Sequence, residues 1–207
     1  MKQNGSILWI RSIITALVLC LAMASIGMIG SGFLFRESRA IAENTLPSLS
    51  HMALANQTRG EAFVHLMRAV NAKDSEEFQK EKAEVLAYSE WTQAELDACR
   101  RMAATAVNQQ LFDKVMAERT DCLKSRDVIL LMSESGDRKS ADKELVTHFL
   151  PMYHQYLDNA QILVESLSRD GIHQADKIGM ISRYTQVFTF VSCIIIFIFG
   201  FFLGYTR

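Results

Sequence analysis

The sequence predicts an all-α protein, an antiparallel up-down four-helix bundle flanked by two transmembrane helices. Three observations carry that prediction. Charged residues make up 22% of the chain, yet two stretches, 12–35 and 184–206, contain none. Between those stretches apolar positions recur at spacings of three and four. Leu111, Val115, Met116, Cys122, Leu123, Val128, Leu131 and Met132 follow this period, that of a helix with one buried face. Finally, 2 prolines and 10 glycines in 207 residues are too few for an all-β fold, which needs turn residues roughly every 8–12 positions. The same division excludes a soluble single-core globule, and also a polytopic transporter, which needs more spans.

Residues 1–11 form a short N-terminal arm, expected in the cytoplasm. A hydrocarbon core about 30 Å thick takes about 20 helical residues, so 12–35 is long enough for a first span. Lys2 and Arg11 followed by Ala22-Met23-Ala24 also fit a cleavable secretory signal. The apolar run continues to Phe35, however, past the roughly 7–15 residues of a signal core, and favours an uncleaved anchor. Residues 36–183 form the water-facing domain, with helices at 36–71, 76–105, 109–134 and 138–184. Ser75, before Glu76, Glu77 and Phe78, is the expected N-cap of the second helix, and Asn108 that of the third. Gly136 supplies the left-handed stop after the third. Pro47 and Pro151 fall inside the first and fourth helices, and each is expected to kink or open its helix. Short loops impose the up-down order.

Residues 184–206 form the second span. Lys2 and Arg11 favour a cytoplasmic N-terminus, and Arg36 and Arg39 beyond the first span oppose it. With two spans the C-terminus, carrying Arg207, returns to the same side, and the domain lies outside. Gly27-x-x-x-Ser31 and Gly200-x-x-x-Gly204 are small-residue pairs that let membrane helices approach closely, or simply the ordinary glycine content of such helices.

Residues 37–182 carry a net charge of −6, which argues against a nucleic-acid partner. A di-iron enzyme in a bundle is built on Glu-x-x-His pairs, and the chain has none. Glu61 and His65, and Glu144 and His148, are four apart and read as solvated helix faces. Motifs for zinc hydrolysis, phosphate loops and nucleophile elbows are absent from the sequence. No enzyme activity, metal or cofactor is therefore expected. Cys20 and Cys193 fall in the spans as small apolar residues. Cys99 and Cys122 lie on adjacent helices, about level but offset by a few ångströms along the axis, and their pairing stays open.

Counting heights along the bundle brings cationic and aromatic residues into one slab. Arg59 on the first helix, Tyr88 and Trp91 on the second, Arg119 and Arg126 on the third, and Tyr153 and His154 on the fourth lie within about 10 Å of height. Planar guanidinium forks beside aromatic rings suit a carboxylate. Arg68 lies nine residues beyond Arg59, on roughly the opposite face, and joins such a site only between subunits. The candidate ligand-binding set is Arg59, Arg68, Tyr88, Trp91, Arg119, Arg126 and Tyr153; solvated arginines and core aromatics are the ordinary alternative.

The helix carrying Asn44-Thr45-Leu46-Pro47-Ser48-Leu49, the segment Ser135-Gly136-Asp137-Arg138-Lys139-Ser140-Ala141 and the turn Leu150-Pro151-Met152-Tyr153 resemble one known module. They are similar to the four-helix-bundle sensor region of bacterial methyl-accepting chemotaxis receptors, along nearly the whole chain. The same module fronts some sensor kinases and cyclases. The resemblance implies a homodimer in the inner membrane, a periplasmic sensor and a piston-like displacement of the last helix. It places Arg59, after Gln57-Thr58, and Arg68 where two ligand arginines of the aspartate-receptor type stand; the third position is Val64, so that pocket is incomplete. Members whose pocket lies inside one monomer's bundle, taking di- or tricarboxylates or aromatic acids, fit the slab better. The HAMP linker and coiled-coil output of the family do not follow the second span here. The expectation is a sensor without its transmitter, or else a module that pairs with full-length receptors and binds no ligand, or the sensor fragment of a histidine kinase or cyclase.

Overall fold

The computed structural model describes the backbone of residues 3–102 and 105–205, and the side-chain surroundings of 13–198 except 16, 19, 103 and 104. In chain order the elements are α1 (Gln3–Ala40), a π turn (Ile41–Thr45), α2 (Leu46–Val70), α3 (Ser75–Met102), α4 (Ala106–Glu134), α5 (Arg138–Glu144), a second π turn (Leu145–Phe149) and α6 (Leu150–Tyr205). They fall into two compact units, one of Ala42–Gly171 and the other of Met1–Ile41 with Ile172–Arg207.

The first unit is a four-helix bundle. Its members are α2, α3, α4 and the run from α5 through the second π turn into the first part of α6. Buried apolar residues from every member meet in one core, among them Met52, Leu66, Val85, Leu96, Phe112, Ile129 and Leu163. Between α2 and α3 two polar pairs repeat with the same register. His51 Nδ1 meets Glu95 Oε2 at 2.6 Å, and His65 Nδ1 meets Glu81 Oε2 at 2.6 Å. Each helix places its two members two heptads apart, so both pairs lie on one seam. The Thr58 and Thr92 hydroxyls bond at 2.8 Å between them.

The helix ends follow local chemistry, with two corrections to the caps expected from sequence. Asp74, not Ser75, caps α3: its carboxylate accepts from the Glu77 N–H, while Glu77 reaches back to the Lys73 N–H. Thr105, not Asn108, caps α4 by accepting from the Asn108 N–H, so the helix starts three residues earlier than expected. Asn108 is instead buried. Its side chain donates to Asp170 at 2.7 Å and accepts from Ser166 at 2.7 Å, pinning the start of α4 to α6. Gly136 does stop α4 in the left-handed region, at φ 84°.

Both prolines open their helices by the same device. Each π turn ends two residues before a proline, at Thr45 before Pro47 and at Phe149 before Pro151. A proline lacks the N–H that closes the preceding turn, and its ring crowds the carbonyl four residues back. The wider turn takes up that mismatch.

In the second unit, α1 and the end of α6 contain windows long and apolar enough to cross a membrane, with none of their residues buried. Gly30 is the position of close approach: a Cβ there would stand 3.0 Å from Thr185 Oγ1. Within the single chain Gly27 has open space beside it, and the Ser31 hydroxyl bonds the Met28 carbonyl of its own helix. The surroundings of Lys2, Arg11, Gly200, Gly204 and Arg207 lie outside the described residues.

Two stability predictions follow from the bundle. A Cβ on Gly171 would stand 2.8 Å from Thr45 Cγ2, closer than packed carbons approach. Gly171→Ala should lower the melting temperature despite alanine's helix propensity, because overpacking costs about 1–3 kcal/mol and propensity returns only about 1 kcal/mol. In a Thr45→Ser background, which removes the methyl, the same change should raise it. The second concerns Asp137, which caps α5 by accepting from Ser140 and is held below the usual carboxylate range by that bonding. Its contribution is present above the ordinary aspartate range and lost as pH falls through the depressed value. The gap in melting temperature between wild type and Asp137→Ala should therefore close on acidification below about pH 4.

Candidate functional site

One cavity lies inside the bundle, and three of its walls are written in a helical period. From α2 it receives Arg59, Ala62, Phe63 and Leu66; from α4, Arg119, Cys122, Leu123 and Arg126. Both sets step i, i+3, i+4, i+7, the spacing of one helix face. Phe149 from the second π turn and Tyr153 and Tyr156 from α6 continue the ring, and Ser89 and Thr92 from α3 close it. The cavity volume is about 50 Å³. That is room for a few waters.

Three guanidinium groups line this space and no carboxylate does. Arg119 is 7% exposed. It donates from Nη1 to Gln93 Oε1 at 2.6 Å and from Nη2 to the Ser89 carbonyl at 2.7 Å. Burial lowers its pKa from the usual arginine value, and the like charge of Arg126 acts in the same sense. Arg126 donates from Nη1 to Ser89 Oγ at 2.7 Å, and from Nε and Nη2 to Asp127, whose side chain is largely exposed. Arg59 differs from both. Its guanidinium carbon stands 5.0 Å from the Tyr156 ring centre and 6.0 Å from that of Tyr153, and its Nε is buried without a hydrogen-bond partner. Burial raises the pKa of both tyrosines, and the Arg59 charge opposes that rise. The apolar side is an aromatic shelf: Tyr153 stacks on Phe63 at 4.9 Å and on Phe149 at 5.5 Å between ring centres.

Ser89, Arg119, Leu123 and Arg126 also line a groove on the outer side of α3 and α4, with Leu86, Glu90 and Gln93. These four side chains are thus the partition between the interior and that surface.

Of the residues expected from sequence, Arg59, Arg119, Arg126 and Tyr153 come together in the cavity. Arg68, Tyr88 and Trp91 do not line it. Arg68 is exposed, half a turn away from Arg59 in phase. Tyr88 is half-buried and stacks on His65 at 5.4 Å, and Trp91 is 57% exposed. Each is one residue from a lining position, Ser89 or Thr92, and one residue is about 100° of helix rotation. His154 is exposed. Sequence reasoning missed Phe63, Phe149, Tyr156, Ser89 and Gln93. The repeated Arg-x-x-small-apolar-x-x pattern at Arg59 and Arg119 was the available signal for the first wall.

Glu144 and His148 pair on α5 and the π turn at 2.7 Å, while His65 bonds across to Glu81 rather than to Glu61. Among the described residues no group of three or more His, Cys, Asp and Glu side chains is placed to hold a metal. Cys99 and Cys122 are free thiols, both buried. Burial pushes each up to about 11, and for Cys122 the Glu118 and Asp121 charges add to it. Reactivity belongs to the thiolate. At pH 7.5 the folded protein should therefore leave both unmodified by iodoacetamide over a time in which the denatured chain reacts fully, as read by mass spectrometry of their peptides.

No curated protein matches the chain. The family model described as a four helix bundle sensory module for signal transduction matches residues 9–171. That span contains α2 to α5 and the cavity-lining part of α6, and the family is one of sensing rather than of catalysis. The chain belongs to the family of four-helix-bundle sensory modules for signal transduction.

Proposed function

We propose that this protein is a transmembrane sensor whose bundle, held outside the membrane, binds a small organic anion in its interior and passes a displacement along α6. The observation that carries the reading is the cavity itself: three arginines converge on it and none of its lining residues is acidic. A structural arginine is ordinarily paired, because an uncompensated buried charge is expensive. Arg126 has its carboxylate partner, Asp127, outside the cavity lining, and positive groups facing one space without an acidic residue among them are what an anion site requires.

The membrane arrangement rests on different support. The second unit exposes Ile29, Phe35, Val187, Phe190 and Phe197, each more than half accessible. That much apolar surface is unfavourable against water and matched to lipid. With both spans in the membrane, the N- and C-termini share the cytoplasmic side and the bundle faces the opposite one. A homodimer, or a dimer with a related receptor, supplies the second bundle of the assembly.

The test uses the full chain in nanodiscs. Thermal unfolding and calorimetric titration are run against a panel of organic acids. A ligand that binds only the native state stabilises it, by about 2.7 kcal/mol at a hundred times its Kd. At least one acid should raise the melting temperature and give a binding isotherm, and Arg59→Gln should abolish both. A panel without any shift or any heat removes the anion reading.

A further inference from the structure

We infer that the cavity selects a monocarboxylate with an apolar body over di- and tricarboxylates, with Arg59 as its anchor. This rests on the anion reading above and narrows it. The three arginines differ in which of their nitrogens already has a partner. Arg126 spends Nε and Nη2 on Asp127 and Nη1 on Ser89 Oγ. Arg119 spends Nη1 on Gln93 and Nη2 on the Ser89 carbonyl. Both therefore hold the partition between α4 and α3 and contribute their charge to the cavity more than their donors. Among the described residues that line the cavity, Arg59 Nε is the buried side-chain nitrogen without a hydrogen-bond partner. One guanidinium edge binds one carboxylate.

The remaining lining sets the body of the ligand. Beyond Arg59 the space is bounded on one side by the Phe63, Phe149 and Tyr153 rings and by Leu66, and on the α3 and α4 side by Ser89, Thr92 and the already bonded Arg119 and Arg126. A second carboxylate would have to turn to Arg119 or Arg126, whose bonded nitrogens already serve Gln93, Ser89 and Asp127, and an ionised group buried without its full set of donors is costly. An alkyl or phenyl body gains by the same burial. The near-parallel Phe63 and Tyr153 rings, 12° apart, offer a flat face to either.

The experiment compares benzoate and hexanoate with malonate and citrate on the full chain in nanodiscs, at matched ionic strength. Benzoate or hexanoate should bind at least about tenfold more tightly than malonate and citrate, a factor of ten being the smallest separation that marks a missing donor set. The benzoate-to-hexanoate ratio then tells a flat body from a flexible one. Arg59→Gln should remove this binding, while Ser89→Ala, which releases Arg126 Nη1, should narrow the preference against malonate. Tighter binding of malonate or citrate overturns the selectivity and leaves the anion reading standing. Benzoate binding that survives Arg59→Gln overturns the anchor. No binding by any of the four, nor by the wider panel, removes the anion reading itself.

Discussion

A guanidinium inside a helical bundle is the constraint on which the rest of this structure turns. Arginine cannot shed its proton to escape burial, so every donor it carries inward needs an acceptor. Arg119 obtains its acceptors from one turn of α3, the Ser89 carbonyl and the Gln93 side chain. Arg126 takes the hydroxyl of the same Ser89. Two cations on α4 thus fasten α3, whose other flank is fastened to α2 by the His51–Glu95 and His65–Glu81 pairs. The polar bonds that satisfy buried groups therefore also set the spacing of three helices. The interior volume they leave is too narrow for bulk solvent and is walled by aromatic and aliphatic side chains as well as by the three arginines.

The prolines account for the fourth wall. Without Pro151 the helix through Phe149 would keep a regular α period. The π turn Leu145–Phe149 inserts the wider turn just where the aromatic side chains begin. Phe149, Tyr153 and Tyr156 then follow at i, i+4 and i+7, and all three face the cavity. Bulges of this type alter the phase of everything after them, which is why they sit so often beside functional sites. The equivalent turn before Pro47 has its last residue, Thr45, buried against Gly171. One backbone device thus serves two purposes, aiming rings in one helix and closing the base of the bundle in the other.

Much of this was legible in the sequence. Helix number, order and approximate ends followed from apolar period and from Gly136, since both depend on near neighbours in the chain. The height of Arg59, Arg119, Arg126 and Tyr153 followed from the constant helical rise. Phase was harder. Tyr88 and Trp91 have the right height but the wrong azimuth, because the facing direction of a helix depends on how its neighbours roll against it. Caps at Asp74 and Thr105 lay within one and three residues of the positions read, where several polar residues compete for the same N–H groups. The His–Glu seam was invisible for a related reason. Its partners come from different helices, and the loop between α2 and α3 sets the register that lets His51 meet Glu95.

The bonds within the bundle are not shared evenly, and α6 holds a distinct place among them. At the cavity it contributes Tyr153 and Tyr156 beside Arg59. One turn further, Asn159 donates to both oxygens of Glu118 on α4 at 2.7 and 2.8 Å. Two turns beyond that, Ser166 and Asp170 hold Asn108 at the start of α4, and Gly171 then packs against Thr45. Each of these contacts is polar or close-packed, with a definite length, so α6 cannot slide by small amounts without breaking several of them. A ligand that shifts Tyr153 or Tyr156 therefore meets a helix with few intermediate positions. Packed interfaces of this kind are bistable rather than continuously deformable, so under the proposed reading α6 would move in a discrete step.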